Sequence, residues 1–298
     1  MVFDRRLVAE RRRRAFAGGG SADFLMSYVA EDVALRLAAV SRHFPVAVDL
    51  GSGGAVADVL TSSGKCDTVW RADALAAGPG RPDLVLDEEA LPFAPASLDL
   101  VVATLTLQAV NDLPGSFAQI RRALKPDGLM LAAVAGGDTL TELRESLLAA
   151  EVELTGGASP RVAPFADLRA LASLLQRAGF ALPVADTDRL TVRYPNLFAL
   201  MADLRALGAT SSLTDRLRVP ARRALLVRAA EIYAERFSDP DGRIRATVEI
   251  VSLSGWAPHE SQQKPLAPGS AKTRLADALG ATERPAGEKA GDGGGGRT

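Results

Sequence analysis

The chain has 298 residues, of which 47% are hydrophobic and 24% are charged, and its formal net charge is −1. This composition supports one large domain with additions, or two small ones, and the near neutrality gives no general attraction to nucleic acid or anionic membranes. One cysteine, Cys66, and two distant histidines, His43 and His259, exclude a disulfide framework and make a zinc or non-haem iron site improbable. We therefore predict no metal site.

The first twenty residues are rich in arginine and contain no long apolar run. They therefore lack the apolar core of a secretory signal. Arginine enrichment is typical of a mitochondrial presequence, but Asp4 and Glu10 argue against one, because presequences are poor in acids. We predict a cytoplasmic protein without an integral membrane segment, and we interpret Arg11–Arg14 as a solvated helix face.

The segment 21–44 has the apolar spacing of an amphipathic helix. Its apolar residues recur four and three positions apart, as in Leu25, Val29, Val33, Leu37 and Val40. This spacing places them on one stripe of a helix, which we expect to pack against the rest of the protein.

From Pro45 onward, short apolar runs alternate with helical stretches. We predict five buried strands and a helix over 115–128; the strands are 46–50, 66–73, 81–87, 98–105 and 129–136. Buried strands that alternate with helices indicate a parallel sheet covered on both faces. Right-handed crossovers then favour a doubly wound α/β fold.

After Gly137 the pattern is mostly helical, with two further strands. The predicted elements are helices over 138–154 and 165–179, a strand over 183–194, helices over 197–209 and 220–237, and a strand over 243–257. The two helices between these strands look like an addition to the sheet domain. From Pro258 the chain is rich in proline, glycine and charge, and we predict that this tail is disordered.

The stretch "VAVDLGSGGA" at 46–55 is the clearest candidate for a nucleotide loop. No Walker string follows Gly51, which excludes a P-loop. A dinucleotide fingerprint needs glycine or alanine where this chain has Val56, so the NAD(P) alternative is weakened but stays open.

S-adenosylmethionine is the third candidate ligand. Asp49, before the turn, can order the loop and meet the ligand's ammonium group, and Gly51 and Gly53 let the backbone approach closely. Asp73 lies 24 residues further on, at the end of the second strand, where a carboxylate accepts bonds from ribose hydroxyls, as it also does in NAD enzymes. Asp87 follows the third strand and can meet the adenine amino group.

Each of these acids alone is consistent with a strand end or a helix cap. Acids after three successive strands meet at one sheet edge, where open α/β sheets bind ligands. We expect Leu91 or Phe93 to flank the adenine. The predicted cofactor-binding residues are Asp49, Gly51, Ser52, Gly53, Asp73, Ala74, Asp87, Glu88 and Thr104.

Three stretches resemble the class I methyltransferases: "VDLGSGG", "LPFAPASLDLVVATLTL" and "QIRRALKPDGLMLAAV". The resemblance implies a Rossmann-like sheet with strand order 3-2-1-4-5-7-6, its last strand antiparallel, and S-adenosylmethionine across the strand ends. We accordingly expect N-terminal helices over 1–44, a methyltransferase-like domain over 45–257, and a tail over 258–298. Helical insertions are expected near 139–180 and 195–238.

A narrower resemblance extends over most of the chain. It is carried by "FDRRLVAERR", "VNDLPGSFAQI", "GGDTLTELRESL", "RVAPFADLRALASLLQRAGF", "DTDRLTVRYPNLFALMADLRALG" and "GWAPHESQQKP". These stretches are similar to the methyltransferase-fold assembly factors of mitochondrial complex I and their alphaproteobacterial relatives. That family is described as hydroxylating an arginine of a complex I subunit, so the resemblance implies a protein substrate. A looser resemblance is to the malonyl–acyl carrier protein methyltransferases.

The chain departs from that family at two places. The family more often has a cysteine and a third glycine in the first motif, where this chain has Ser52, Gly54 and Ala55. The family often has a His-Trp pair after strand four, where this chain has Gln108 and Ala109. Two alternatives therefore stay open: a non-catalytic scaffold that binds S-adenosylmethionine, and a methyltransferase that forms methyl esters on a carrier protein or small molecule.

Candidates for contact with the acceptor follow strand five. Asp138, Thr139 and Glu142 can meet a substrate guanidinium, but the same residues suit a helix cap and a capping box. Tyr194 can line the site or belong to the core. His259, just after the last strand, is most simply structural. The catalytic residue remains unassigned, with Asp138, Thr139 and Tyr194 as candidates.

Overall fold

A computed structural model describes residues 1–18, 24–76, 81–263 and 275–282. The chain divides into two compact units, Met1–His259 and Glu260–Thr298. In the second unit the described part includes a short helix, α9 (Leu275–Leu279). Most of the predicted disordered tail lies outside the described residues.

The first unit contains a seven-stranded sheet. Its strands are β1 (Phe44–Leu50), β2 (Cys66–Asp73), β3 (Leu84–Val85), β4 (Leu98–Thr104), β5 (Leu124–Ala135), β6 (Ala181–Tyr194) and β7 (Ile244–Trp256). The order across the sheet is β3-β2-β1-β4-β5-β7-β6. The first five strands are parallel, and β7 is antiparallel to both of its neighbours. The predicted α/β class and strand order are confirmed.

Eight α-helices accompany this sheet in the described part of the first unit. They are α1 (Arg5–Ala17), α2 (Phe24–Ala39), α3 (Ala55–Ser62), α4 (Leu113–Ala123), α5 (Thr141–Thr155), α6 (Leu168–Arg177), α7 (Leu197–Ala206) and α8 (Arg223–Phe237). A single 3₁₀ turn, Leu107–Ala109, follows β4. No helix among the described residues is both long and apolar enough to cross a membrane.

The central strands are apolar on both faces, because helices cover both sides of the sheet. On one face, Val48 and Val101 belong to a cluster with Phe117 and Ile120 of α4. On the other face the apolar stripe of α2 packs beside α3, in a cluster that includes Val33, Leu37, Val56, Leu60 and Leu100. This double burial explains why β1 and β4 read as continuous apolar runs.

The structure corrects two predicted boundaries. The helix predicted over 115–128 is α4, which starts at Leu113 after the cap Asp112 and ends at Ala123, where β5 begins. Pro126 explains the early end, because proline cannot donate to a helical hydrogen bond and disfavours helix in the residue before it. The third strand is also shorter than predicted and covers only Leu84–Val85.

A second apolar cluster lies on the β7 side of the sheet. It joins Leu143 of α5, Leu200 of α7, and Ala229 and Tyr233 of α8 with Ile244 of β7. The Tyr233 hydroxyl donates to the Arg245 carbonyl oxygen at 2.7 Å, which satisfies its polar atom within this cluster. These helices form one wall of the cavity described next.

Candidate active site

The loop between β1 and α3 is shaped by glycine. Gly51, Gly53 and Gly54 have φ values of +84°, +68° and +103°, which side chains rarely allow. A Cβ atom on Gly51 would lie 2.5 Å from the Thr106 Cβ. Gly51 is therefore required both by its backbone conformation and by the close approach of the segment after β4.

Asp49 is buried at the end of β1, with 1% of its surface exposed. Its Oδ2 accepts hydrogen bonds from the Ser52 hydroxyl and, at 3.0 Å, from the Ala57 amide. Its Oδ1 is buried and has no partner among the described residues. Burial raises the pKa of Asp49 to about 6. The carboxylate thus orders the loop and retains one oxygen for an external donor.

Asp73, at the end of β2, already has partners on both oxygens. The Leu75 amide donates to its Oδ1 at 2.9 Å, and the Arg12 guanidinium donates to its Oδ2 at 2.8 Å. The same Arg12 Nη2 lies 3.4 Å from the Gly51 carbonyl oxygen. Helix α1 therefore covers the sheet edge at which the sequence predicted the cofactor.

Glu88 is the buried acid after β3. The Thr106 hydroxyl donates to its Oε1 at 2.6 Å, and Arg5 pairs with its Oε2. Burial lowers the pKa of Arg5, but the neighbouring acids Glu88 and Asp87 outweigh this effect, so the pKa is raised overall. Asp87 is half exposed and pairs with Arg5 at 3.0 Å. Arg5 and Arg12 thus attach α1 to three acids of one edge: Asp87, Glu88 and Asp73.

The segment after β4 contributes a strained residue and an unpartnered amide. Leu105 has φ +50°, which is unusual for a residue with a bulky side chain. The Gln108 Nε2 donates to the Leu105 carbonyl oxygen at 2.7 Å, whereas its Oε1 is buried with no partner among the described residues. Backbone strain and an unsatisfied buried acceptor are features that cluster at functional sites.

These elements surround a cavity of about 1050 Å³. The predicted site residues that line it are Gly51, Ser52, Gly53, Ala74, Glu88, Thr139 and Tyr194. Five others are not among its described lining residues: Asp49, Asp73, Asp87, Thr104 and Asp138. Thr104 is fully buried, and its hydroxyl lies 3.8 Å from the Met26 sulfur. The cavity extends from the sheet edge at which the sequence predicts the cofactor, here called the cofactor edge, to helices α5, α7 and α8. It therefore has room for two ligand groups.

The acceptor-side candidates are mostly engaged in structural contacts. Leu140, in a left-handed conformation, precedes α5, and neither Asp138 nor Thr139 caps that helix with its side chain. Thr139 Oγ1 instead bonds to the backbone of Glu249 in β7, at 3.1 Å to both nitrogen and oxygen. Glu142 accepts from the Thr247 amide and hydroxyl, and Asp138 pairs with exposed Arg189. The capping-box interpretation is wrong, because the side chains of Thr139 and Glu142 bond to β7 and that of Asp138 pairs with β6.

Tyr194 lines the cavity and donates to Asp203 at 2.5 Å. Burial and the neighbouring carboxylate raise the pKa of Tyr194, which keeps its hydroxyl protonated. The tyrosine is therefore both part of the cavity wall and partly packed against the second apolar cluster.

Leu91 and Phe93 belong to the main core cluster with Leu107 and Phe117 and are not among the described lining residues of the cavity. Their positions therefore do not support the expectation that one of them flanks the adenine.

The predicted solvated face over Arg11–Arg14 holds fully only for Arg14. Arg11 and Arg12 are partly buried and line the cavity, and Arg13 is exposed but also belongs to the cavity lining.

Three residues of the site were missed by sequence reasoning: Arg5, Arg12 and Thr106. The only signal for the arginines was the charge run in α1, which is usually solvated. Thr106 follows a predicted strand and carries no motif of its own. His43 is exposed and bonds to Asp67 at 2.8 Å. No cluster of metal-ligating side chains occurs among the described residues.

The chain matches known proteins in both sequence and fold. A family model described as a methyltransferase domain matches residues 23–183. The YcgJ protein of Bacillus subtilis superimposes with a TM-score of 0.52 at 14% identity, covering 78% of this chain and 99% of that one. This structural likeness shows the fold alone. Together with the family match, it defines a class I methyltransferase fold with S-adenosylmethionine as its cofactor.

Two relatives refine the family. The rat protein "Arginine-hydroxylase NDUFAF5, mitochondrial" is 38% identical over 288 residues, which cover 93% of this chain and 83% of the relative. A malonyl–acyl carrier protein O-methyltransferase of Xylella fastidiosa is 37% identical over 172 residues, covering 58% of this chain and 56% of the relative. The chain is an S-adenosylmethionine-dependent enzyme that belongs to the family of the NDUFAF5 proteins.

Proposed function

We propose that S-adenosylmethionine binds at the shared edge of β1, β2 and β4. The observation that carries this proposal is the unpartnered Oδ1 of Asp49 beside a loop in which Gly51 leaves no space for a side chain. An orphaned buried carboxylate oxygen fits an ammonium donor, and the glycine fits close backbone approach. Asp73 would hold the ribose, with Ala74, Glu88 and the other predicted edge residues around it.

The cofactor, when bound, supplies an electrophilic methyl group. The chain's own residues bind and orient. Asp49 fixes the loop through Ser52 and Ala57, and Glu88 is held by Thr106 and Arg5. The Gln108 Oε1 is the unpartnered side-chain acceptor on the segment after β4, and it can orient a proton-bearing acceptor group. Helix α1 and the second apolar cluster restrict water around these groups.

We further propose that the acceptor is part of a protein. The family resemblance implies a subunit of respiratory complex I, and the relatives in this family are named arginine-hydroxylases. The large cavity, open between the cofactor edge and the helical wall, suits a side chain presented by another protein.

The test uses the purified full chain, its candidate complex I subunit and labelled S-adenosylmethionine. Mass spectrometry of the subunit distinguishes the gain of one methyl group from the gain of one oxygen atom. An unchanged subunit, with cofactor binding intact in calorimetry, would favour a non-catalytic scaffold. Failure of the wild-type chain to bind S-adenosylmethionine would overturn the assigned cofactor edge.

Asp73→Ala tests the proposed ribose contact separately. Loss of the carboxylate should weaken cofactor binding by about 1.5–3 kcal/mol, the usual contribution of a charged hydrogen-bonding partner. Calorimetric titration measures this change. Unchanged affinity in a folded variant would contradict a ribose contact at Asp73.

A second candidate function is methyl transfer to a carboxylate. The specific observation in its favour is the charge of the cavity. Seven of its described lining residues are arginines, whereas Glu88 is the one acidic residue in the described lining. Such a lining favours an anionic acceptor over a guanidinium. Hydroxamate trapping of the modified product distinguishes a methyl ester from methylation at nitrogen.

We propose a cytoplasmic location, as the acids in the N-terminal segment suggest, although the rat relative described above is named mitochondrial. Fractionation of cells that express the tagged full chain tests this proposal.

A further inference from the structure

Several of the arginines that line the cavity lie on helix α1. Four of the lining arginines have an acid within ion-pair distance: Arg5 with Glu88, Arg12 with Asp73, Arg161 with Glu151, and Arg216 with Asp4. The last of these pairs is loose, at 3.6 Å. Arg11 has no ion pair among the described residues, and its Nη1 is buried without a hydrogen-bond partner.

The surroundings of Arg11 are electropositive. Burial lowers the pKa of Arg11, and the charges of Arg216 and Arg14 lower it further, against smaller contributions from Glu10 and Asp4. Arg14 already pairs with Glu10, and Asp4 accepts from the Leu7 amide as the cap of α1. The local excess of positive charge around Arg11 is therefore only partly compensated by these two acids.

A second unpartnered polar atom lies on the segment that runs along α1. Gly208 lies so close to α1 that a Cβ there would be 2.9 Å from the Arg12 Cα. Four residues later, the Asp4 amide donates to the Ser212 carbonyl oxygen at 2.8 Å. Ser211 lies between these two contacts, lines the cavity, and has a buried Oγ with no partner in the part of the chain that the structure describes.

Arg11 lies close to this segment. It is two turns beyond Asp4 on the same face of α1, and Asp4 contacts both Arg216, at 3.6 Å, and the Ser212 carbonyl oxygen. Arg216 and Asp4 are also among the charges that act on Arg11. Arg12, which pairs with Asp73, lies on the adjacent face.

We propose that Arg11 and Ser211, with Arg216 beside them, form a carboxylate-binding subsite on the acceptor side of the cavity. A carboxylate there would receive a guanidinium N–H bond and a hydroxyl O–H bond, and would neutralise the charge shared with Arg216. The assignment rests on the proposed function, because it names the chemistry that the acceptor must carry. The carboxylate comes either from a free acid or from an acidic side chain of a protein acceptor.

The test measures binding by calorimetry to the full chain saturated with S-adenosylhomocysteine. Glutarate represents a free acid, and N-acetylglutamate methylamide represents an acidic residue within a chain. Wild type should bind at least one of them. Arg11→Met should weaken that binding tenfold or more, and Ser211→Ala should weaken it several-fold. Arg6→Met, the same change at an exposed position of α1, should leave it unchanged. The probe that binds identifies the source.

The affinity for S-adenosylhomocysteine should be the same in all four proteins. Ligand-free Arg11→Met should melt at the same temperature as wild type or higher, because an unpaired, repelled cation has been removed. A lower melting temperature would indicate a structural role and contradict the proposal. Absence of probe binding to wild type, or equal binding to wild type and Arg11→Met, would also overturn it.

One further arm distinguishes this subsite from the cofactor's own carboxylate. If Arg11→Met weakens binding of S-adenosylmethionine but not of its decarboxylated analogue, Arg11 holds the cofactor, and the acceptor assignment is wrong. Loss of S-adenosylhomocysteine binding by wild type would instead contradict the proposed cofactor edge. The two failures are therefore separate observations.

Discussion

At the scale of single residues, the site combines satisfied and unsatisfied polar atoms. Asp49 shows both within one side chain: Oδ2 orders the loop through Ser52 and Ala57, and Oδ1 has no partner among the described residues. A buried carboxylate of this kind is costly when charged, which is why burial raises the pKa of Asp49. Proteins tolerate that cost where a ligand provides the missing donor.

The first prediction follows from this pKa. The folded-state pKa of Asp49, about 6, lies above its unfolded value, so its contribution to stability is present below pH 4 and lost as the pH rises through 6. Asp49→Asn does not titrate. Urea unfolding measures the free energy of unfolding of both proteins. Between pH 4 and pH 7, that of wild type should fall by up to about 3 kcal/mol relative to that of this variant. Parallel pH profiles for the two proteins would contradict the assignment.

Gln108 supports a second prediction at the same scale. Its Oε1 is buried at the cavity without a described partner, so it is available to an acceptor group. Gln108→Leu should lower turnover on the candidate subunit tenfold or more, as expected from loss of a hydrogen bond to a reacting group. Affinity for S-adenosylhomocysteine should not change, and the free energy of unfolding should stay within about 1 kcal/mol. Full turnover in the variant would remove Gln108 from the site.

At the scale of elements, α1 decides access to the cofactor edge. Its beginning is held by backbone bonds from Val2 and Phe3 to the Asn111 side chain, each at 2.8 Å. Further along, the same helix places Arg5 on Glu88 and Arg12 on Asp73. An amphipathic helix usually turns its charged face to solvent, whereas here part of that face closes the ligand edge.

The third prediction concerns competition at Asp73. Because Arg12 and the Leu75 amide use both carboxylate oxygens, ribose hydroxyls must displace the guanidinium. Arg12→Met keeps the apolar stem but removes the competitor. Calorimetry should show tighter binding of S-adenosylhomocysteine by up to about tenfold, equivalent to about 1.4 kcal/mol. Arg6→Met serves as the control on exposed surface. Weaker binding in Arg12→Met would mean that Arg12 holds α1 over the cofactor and does not compete with it.

At the scale of the whole first unit, the cavity joins two differently built halves. One half is the carboxyl edge of the parallel strands, with its glycines and acids. The other half is the helical wall of α5, α7 and α8, which is apolar and belongs to the second cluster. A cofactor bound at the sheet edge and an acceptor bound at the helical wall would meet in the space between the two halves. Group transfer needs this arrangement.

The fourth prediction separates these halves. Met201, on α7, is partly buried and lines the cavity. Met201→Trp should fill the acceptor half, abolish modification of the candidate subunit, and change S-adenosylhomocysteine affinity by less than about twofold. Phe198→Trp, on the exposed face of the same helix, is the matched control and should retain activity. Loss of cofactor binding in Met201→Trp would show that the two halves are not independent.

Much of the fold was predictable because it follows from local pattern. The apolar run before Asp49 and the stripe through Val29, Val33 and Leu37 determine a strand and a helix wherever they occur. Acids placed at strand ends also predicted one common edge, because parallel strands end together. The end of α4 before Leu124 was not predicted, although Pro126 disfavours a helix at the residue before it.

The sequence by itself thus determined the α/β class and the strand order implied by resemblance, and it predicted the acids at the strand ends as cofactor ligands. Only the tertiary structure decided that Arg12 holds Asp73, 61 positions away, and that Thr106 closes on Gly51. The physical reason is that periodicity records which face of an element is buried, but not which distant side chain fills the space opposite it. Those pairings depend on packing between elements, and here they determine what the site can bind.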